Sequence, residues 1–245
     1  MPIRPLKLLD VTRRHYGLRY QGPYAYNLHN LGHQSGLTTT PAYTYLTKTR
    51  HLDTRNFGFT AFSRGFEHQE EIQSTLLNTG HGWESREVPS KVWVCTRQHQ
   101  AAHNAHPTTA DQVMAFLRLF AYLNGRNNED RNLPMGTPVS IEARTTDEGR
   151  VLSACFFLPQ RIQSNPPTPR DPLVYLSHRP SVTIFTRRFG GFASNEDTWM
   201  AEAQALKQVL TAQGQQTRAD IQYWNAYDPP YKFWNRRNEV WLVRA

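Results

Sequence analysis

From residue 91 onward the chain runs strand, helix, strand, strand, and then repeats that order, which restricts the folds open to it more than any other feature. Lys91–Thr96 reads as a strand. Thr108, Thr109 and Asp111 supply capping chemistry ahead of a helix whose apolar stripe is Val113, Phe116, Leu117 and Phe120, at i, i+3, i+4 and i+7. Asn124-Gly125 stops it, and strands follow at Thr137–Ala143 and Val151–Leu158. In the second half, Val182–Arg187 reads as a strand. Ser194 with Asp197 forms an S-x-x-D capping box before a helix with Trp199, Ala203, Leu206 and Leu210 on one face. Strands Ile221–Ala226 and Glu239–Arg244 close the chain. Two such units are expected to join their sheets into one curved antiparallel surface with the helices packed outside.

Residues 1–80 are different. Turn formers recur from Gly17 to Gly58, yet tyrosine and phenylalanine are interspersed throughout. This reads as a basic, aromatic-rich and largely irregular arm preceding a domain at 81–245. Nine Lys/Arg against five Asp/Glu in the arm compare with nineteen against fifteen in the rest, so the arm has about twice the charge density. Aromatic side chains in such a segment bury on a partner or on the protein itself. Other protein subunits are the expected partners, and RNA or anionic lipid suits the same charge. For RNA, Arg13, Arg14, Arg19, Lys48, Arg50 and Arg55 would contact phosphates.

No run approaches the ~20 apolar residues of a membrane-spanning helix, and the N-terminus lacks a secretory apolar region. An intracellular location is expected, mitochondrial or cytoplasmic, with the Arg-rich start tilting it to the former. Cys95 and Cys155 sit in apolar strand-like runs without metal-ligand spacing and read as separate buried thiols in a reducing compartment. No nucleophile, carboxylate pair or phosphate loop stands out, so no enzymatic activity is expected.

The C-terminal run Tyr227-Asp228-Pro229-Pro230 through Arg236-Arg237-Asn238-Glu239 and an apolar strand resembles the closing segment of SOUL/haem-binding proteins. Phe189-Gly190-Gly191-Phe192, the Pro-rich stretch after Phe157-Leu158-Pro159, and Met135-Gly136-Thr137-Pro138-Val139 resemble that family's motifs in the same order. So do Phe116, Leu119, Tyr122 and Gly125-Arg126-Asn127, and Trp83-Glu84-Ser85-Arg86 with Trp93-Val94-Cys95-Thr96. Six motifs in order cover about 160 residues. The resemblance implies an α+β fold: a distorted antiparallel β-barrel from two strand–helix–strand–strand repeats with two flanking helices.

It also implies non-enzymatic tetrapyrrole (haem) binding in a surface pocket beside the first helix, where Phe116, Leu119 and Met135 would line it and Lys232 would pair with a propionate. The family's histidine position is occupied here by Glu87, a poor ligand for haem iron, so that coordination is expected to be lost. The alternative role is that of a structural accessory subunit in a large membrane or ribonucleoprotein complex, anchored by the arm. His99, His103 and His106, at i, i+4 and i+7, could bind a metal or a haem iron if helical. Pro107 and the missing apolar stripe make them read as a solvated loop.

Overall fold

The structure is a computed structural model that describes residues 69–101, 107–229 and 232–245. The described strands are β1 (Thr75–Gly80), β2 (Trp83–Val88), β3 (Lys91–Ala101), β4 (Val139–Thr146), β5 (Gly149–Phe157), β6 (Val174–Arg179), β7 (Val182–Phe189), β8 (Thr217–Ala226) and β9 (Asn238–Arg244). Helix α1 (Thr109–Leu123) follows β3, and α2 (Glu196–Ala212) follows β7. All nine strands form one antiparallel sheet in the order β1-β2-β7-β9-β8-β4-β5-β3-β6.

That order forces curvature. β2 and β3 lie second from opposite edges, yet only Pro89 and Ser90 separate them. Three residue steps reach about 10 Å, so the two flanks must roll towards each other. Pro180-Ser181 joins β6 to β7 in the same way. Proline donates no ladder hydrogen bond and so ends each strand. The Ser181 hydroxyl donates to the Val88 carbonyl at 3.2 Å, tying the second turn to the first. The duplication inferred from element order thus recurs in matching Pro-Ser turns. The barrel is distorted and flanked by two helices, as expected.

Three apolar clusters follow from the rolling. Inside it lie Trp93, Phe157, Ile184, Tyr223, Trp241 and Val243. The Arg179 guanidinium fills the same side, 4.2 Å from the Trp93 ring centre and 4.5 Å from that of Tyr223, and donates to Ser140 Oγ at 3.1 Å. Burial holds its pKa below the ordinary arginine value. Outside, α1 and α2 cover the two halves of the sheet.

Helix α1 opens as the sequence indicates. Thr108 Oγ1 accepts from the Asp111 amide at 3.2 Å, and Asp111 Oδ2 accepts from the Thr108 amide at 2.8 Å. Its buried face, however, is rotated from the expected stripe. Ala115, Leu119, Tyr122 and Leu123 are buried, whereas Val113, Phe116, Leu117 and Phe120 are half-exposed. Small Ala115 lets the helix approach the sheet, and the Tyr122 hydroxyl finds the Pro167 carbonyl at 2.8 Å. Helix α2 buries Trp199, Ala203, Leu206 and Leu210 as expected, but its cap is Asn195. Asn195 Oδ1 accepts from the Thr198 amide at 3.0 Å, one residue later than the Ser194–Asp197 reading. Asparagine caps as well as serine does, and local sequence does not choose between neighbours.

Two further corrections concern covalent and domain organisation. Cys95 and Cys155 are not separate thiols; they form a disulfide. The reason is register: they face each other directly on β3 and β5, with Cα atoms 4.1 Å apart. The boundary drawn at residue 80 falls inside the sheet, because β1 pairs with β2. Before it, the Ile72 amide donates to the Thr137 carbonyl at 2.9 Å and the Thr137 amide to the Glu70 carbonyl at 2.8 Å. Residues 69–80 are therefore structurally continuous with the domain. Among the described residues, no helix is long and apolar enough to cross a membrane.

Candidate functional site

The closing motif of the chain is a braced loop. Asp228, two residues after β8, accepts from the Arg237 amide and forms an ion pair with Lys232 at 2.5 Å. The Arg236 guanidinium donates to the carbonyls of Pro229 (2.6 Å), Lys232 (2.8 Å) and Asp228 (3.1 Å), closing the loop on itself. Its charge also lies 4.4 Å from the centre of the Phe192 ring. Asn238 Nδ2 donates to the Gly191 carbonyl at 3.0 Å and fixes the β7–α2 turn beside the loop.

Beneath the loop sits Glu239, only 1% exposed. Its Oε2 accepts from the Tyr227 hydroxyl (2.9 Å), Trp241 Nε1 (3.0 Å) and Arg86 (3.2 Å). Arg237 lies 3.5 Å from its other oxygen, stacks 3.5 Å above the Tyr227 ring and also pairs with Glu71. Burial opposes the Arg237 charge, but the neighbouring acids outweigh it and raise its pKa above the ordinary value. Burial, and then the Glu239 carboxylate, push the Tyr227 phenol well up, so it stays a donor. The Tyr-Asp and Arg-Arg-Asn-Glu segments thus build the loop and its foundation.

Between this loop and the β7–α2 turn opens a cleft of about 680 Å³ lined by Arg188, Phe189, Gly190, Gly191, Asn235 and Arg236. Gly191 has φ +78° and no heavy atom within 4 Å of where a side chain would start, so glycine serves backbone conformation here. Arg188 is exposed near the end of β7 and lines the cleft together with Arg236. Two arginines lining an open, partly apolar cleft give it a positive charge that favours a ligand with carboxylates. Among the described residues, none of the six that line the cleft is His, Cys, Met or Tyr, so these six offer haem iron no ordinary axial ligand.

The structure sorts the residues singled out from sequence. Lys232 belongs to the loop that borders the cleft, but its ammonium is held by Asp228. Leu119 (0% exposed) and Met135 (6%) belong to the core under α1 and do not line a surface pocket, which corrects that expectation. The same inward rotation of α1 that buries Leu119 leaves Phe116 half-exposed, stacked on Phe120 and edge-on to Phe156. Glu87 lies on β2, exposed, accepting from the Ser181 hydroxyl at 3.2 Å. His99 lies on β3 opposite Leu152, so the helical spacing proposed for the three histidines does not hold at its first member. His103 and His106 lie outside the described residues, as do Arg13, Arg14, Arg19, Lys48, Arg50 and Arg55. No metal-competent group of three or more His, Cys, Asp or Glu exists among the described residues. Arg188 and Asn235 went unnoticed in the sequence, because a cleft between two turns leaves no periodic signal.

Comparison with known proteins shows what the sequence is similar to. The sequence profile of the SOUL heme-binding protein family matches residues 69–243. Heme-binding protein 1 of Sus scrofa is 36% identical over 135 residues, spanning 54% of this chain and 70% of that protein. Heme-binding protein 1 of Xenopus laevis is 31% identical over 190 residues, spanning 74% of this chain and 93% of the relative. Among solved structures, the EcmrR C-terminal domain superposes with a TM-score of 0.48 at 10% identity, covering 66% of this chain and 96% of that one. With its motifs in order, its doubled strand–helix–strand–strand architecture and a profile match over most of its length, the chain belongs to the SOUL heme-binding protein family.

Proposed function

We propose that this protein is a binding module, not a catalyst, and that it holds a tetrapyrrole such as haem in the cleft between the β7–α2 turn and the β8–β9 loop. The observation that carries the reading is an open cleft lined by Arg188 and Arg236 together with Phe189 and a glycine turn. A tetrapyrrole is flat, largely apolar and edged by carboxylates. Phe189 and the bare glycine backbone suit its face, and the guanidiniums suit its edge. Haem bound this way would bring its own redox chemistry. The chain's part is to bind and orient the macrocycle through its periphery, and its iron would not be ligated by the lining.

This site differs from the family-derived expectation of a pocket beside the first helix. It adjoins the turn into the second helix, the pseudo-equivalent place in the duplicated fold. Lys232 enters indirectly, by pairing with Asp228 and so holding the loop that carries Arg236.

Haemin titrated into the protein is expected to give a Soret band displaced from that of free haemin. Arg188→Gln is expected to weaken the complex about tenfold, the cost of one charge-assisted contact. A Soret band identical to that of free haemin at micromolar protein would remove the proposal.

A further inference from the structure

We propose that the tip of the β8–β9 loop docks the protein on an anionic lipid surface, which rests on the cleft reading for its purpose but not for its observations. Phe233 and Trp234 are adjacent at the tip and are 49% and 67% exposed. Next to them Asn235 takes φ +45°, a left-handed conformation that asparagine tolerates better than most residues and that reverses the chain behind the indole. The loop is not slack at this point. Arg236 closes it through three carbonyls, and Phe233 leans on Phe192 with ring centres 6.0 Å apart. An indole held in water by a braced loop is a built exposure.

Its surroundings set the partner's chemistry. Arg188, exposed, lines the cleft beside the loop, and the whole chain carries +8. The loop's one acid, Asp228, is already matched by Lys232. Aromatic side chains at a cationic rim are what the headgroup region of an acidic bilayer takes up. Single-stranded RNA also stacks on aromatics, but it needs a track of cations along its backbone. Here Lys232 and Arg237 face carboxylates, and Arg236 faces carbonyls, so no such track is laid out. A flat apolar macrocycle partitions into bilayers, and a cleft whose rim sits at the interface would take its ligand from there.

The test is cosedimentation of the full chain with vesicles of phosphatidylcholine alone and of equal parts phosphatidylcholine and phosphatidylserine. The wild type is expected to bind the mixed vesicles and to be released by salt. Trp234→Ser is expected to reduce that binding about tenfold. Arg188→Gln is expected to reduce it about fivefold, on the mixed vesicles alone. Leu76→Ser/Leu77→Ser, which alters another exposed apolar pair, is expected to leave it unchanged. Trp234→Ser is also expected to keep protoporphyrin binding in vesicle-free buffer, because Trp234 does not line the cleft. Trp234-dependent vesicle binding without any protoporphyrin binding would support the docking surface and remove the ligand reading. Equal binding to both vesicle types overturns the inference. So do an undiminished Trp234→Ser, an equal loss in the Leu76/Leu77 variant, and a Trp234 effect confined to single-stranded RNA or to protoporphyrin.

Discussion

Glu239→Ala is expected to cost about 3–5 kcal/mol of folding stability. The residue is 1% exposed, and its carboxylate receives three hydrogen bonds from groups that are themselves largely withdrawn from water. Alanine leaves the Tyr227 hydroxyl and the Trp241 indole N–H without their acceptor. It also leaves Arg86 and Arg237 without the buried charge between them. An unmade buried bond costs more than a made one contributes, so the loss is not divided evenly among the partners. Glu239→Gln keeps an acceptor and loses the charge, and is expected to cost about half as much. Urea unfolding of the three proteins measures both values. A loss under about 1 kcal/mol for the alanine variant would mean that the closing motif does not rest on this carboxylate.

The second large effect concerns the sheet's covalent link. Cys95 and Cys155 are separated by 60 residues. Closing a loop of that length lowers the entropy of the unfolded chain enough to stabilise the fold by about 4 kcal/mol. Cys95→Ala/Cys155→Ala should therefore unfold at a much lower urea concentration than the wild type under non-reducing conditions. Under strong reduction in the unfolded state, the two proteins should converge apart from a small packing difference. Coincident non-reducing curves would show that the thiols are not joined. The bond joins residues that are already cross-strand neighbours, so its removal is expected to change stability and leave the register of β3 on β5 intact.

The sequence carried the architecture further than the site. Thr108 and Asp111 announced α1 through chemistry confined to one helical turn, and the Trp199-to-Leu210 stripe announced α2 through spacing alone. β1 and β6 were not legible. They are the two edges of the sheet, and their exposed Leu76, Leu77 and Tyr175 break the inside–outside alternation that marks a half-buried strand. The disulfide was hidden because it depends on register between strands 60 residues apart, which no local pattern encodes. That Leu119 and Met135 lie in the core was hidden for a related reason. Their apolar character suits a pocket and a core equally, and for Leu119 the rotation of α1 decides between them. The cleft combines Arg188 from one end of a strand with Asn235 and Arg236 from a loop 47 residues later, an encounter set entirely by the β7·β9 pairing.

Ligand binding by the macrocycle's carboxylates, without an iron ligand from the cleft, is the centre of the functional account. A parallel titration with haemin, iron-free protoporphyrin and protoporphyrin dimethyl ester tests it most directly. Haemin and protoporphyrin should bind within about threefold of each other, since the lining supplies no ordinary axial donor. The ester, which lacks both carboxylates, should bind about 100-fold more weakly, at about 1.5 kcal/mol per lost charged hydrogen bond. An ester that binds as tightly as the free acid, or haemin that binds far more tightly than protoporphyrin, would contradict the account.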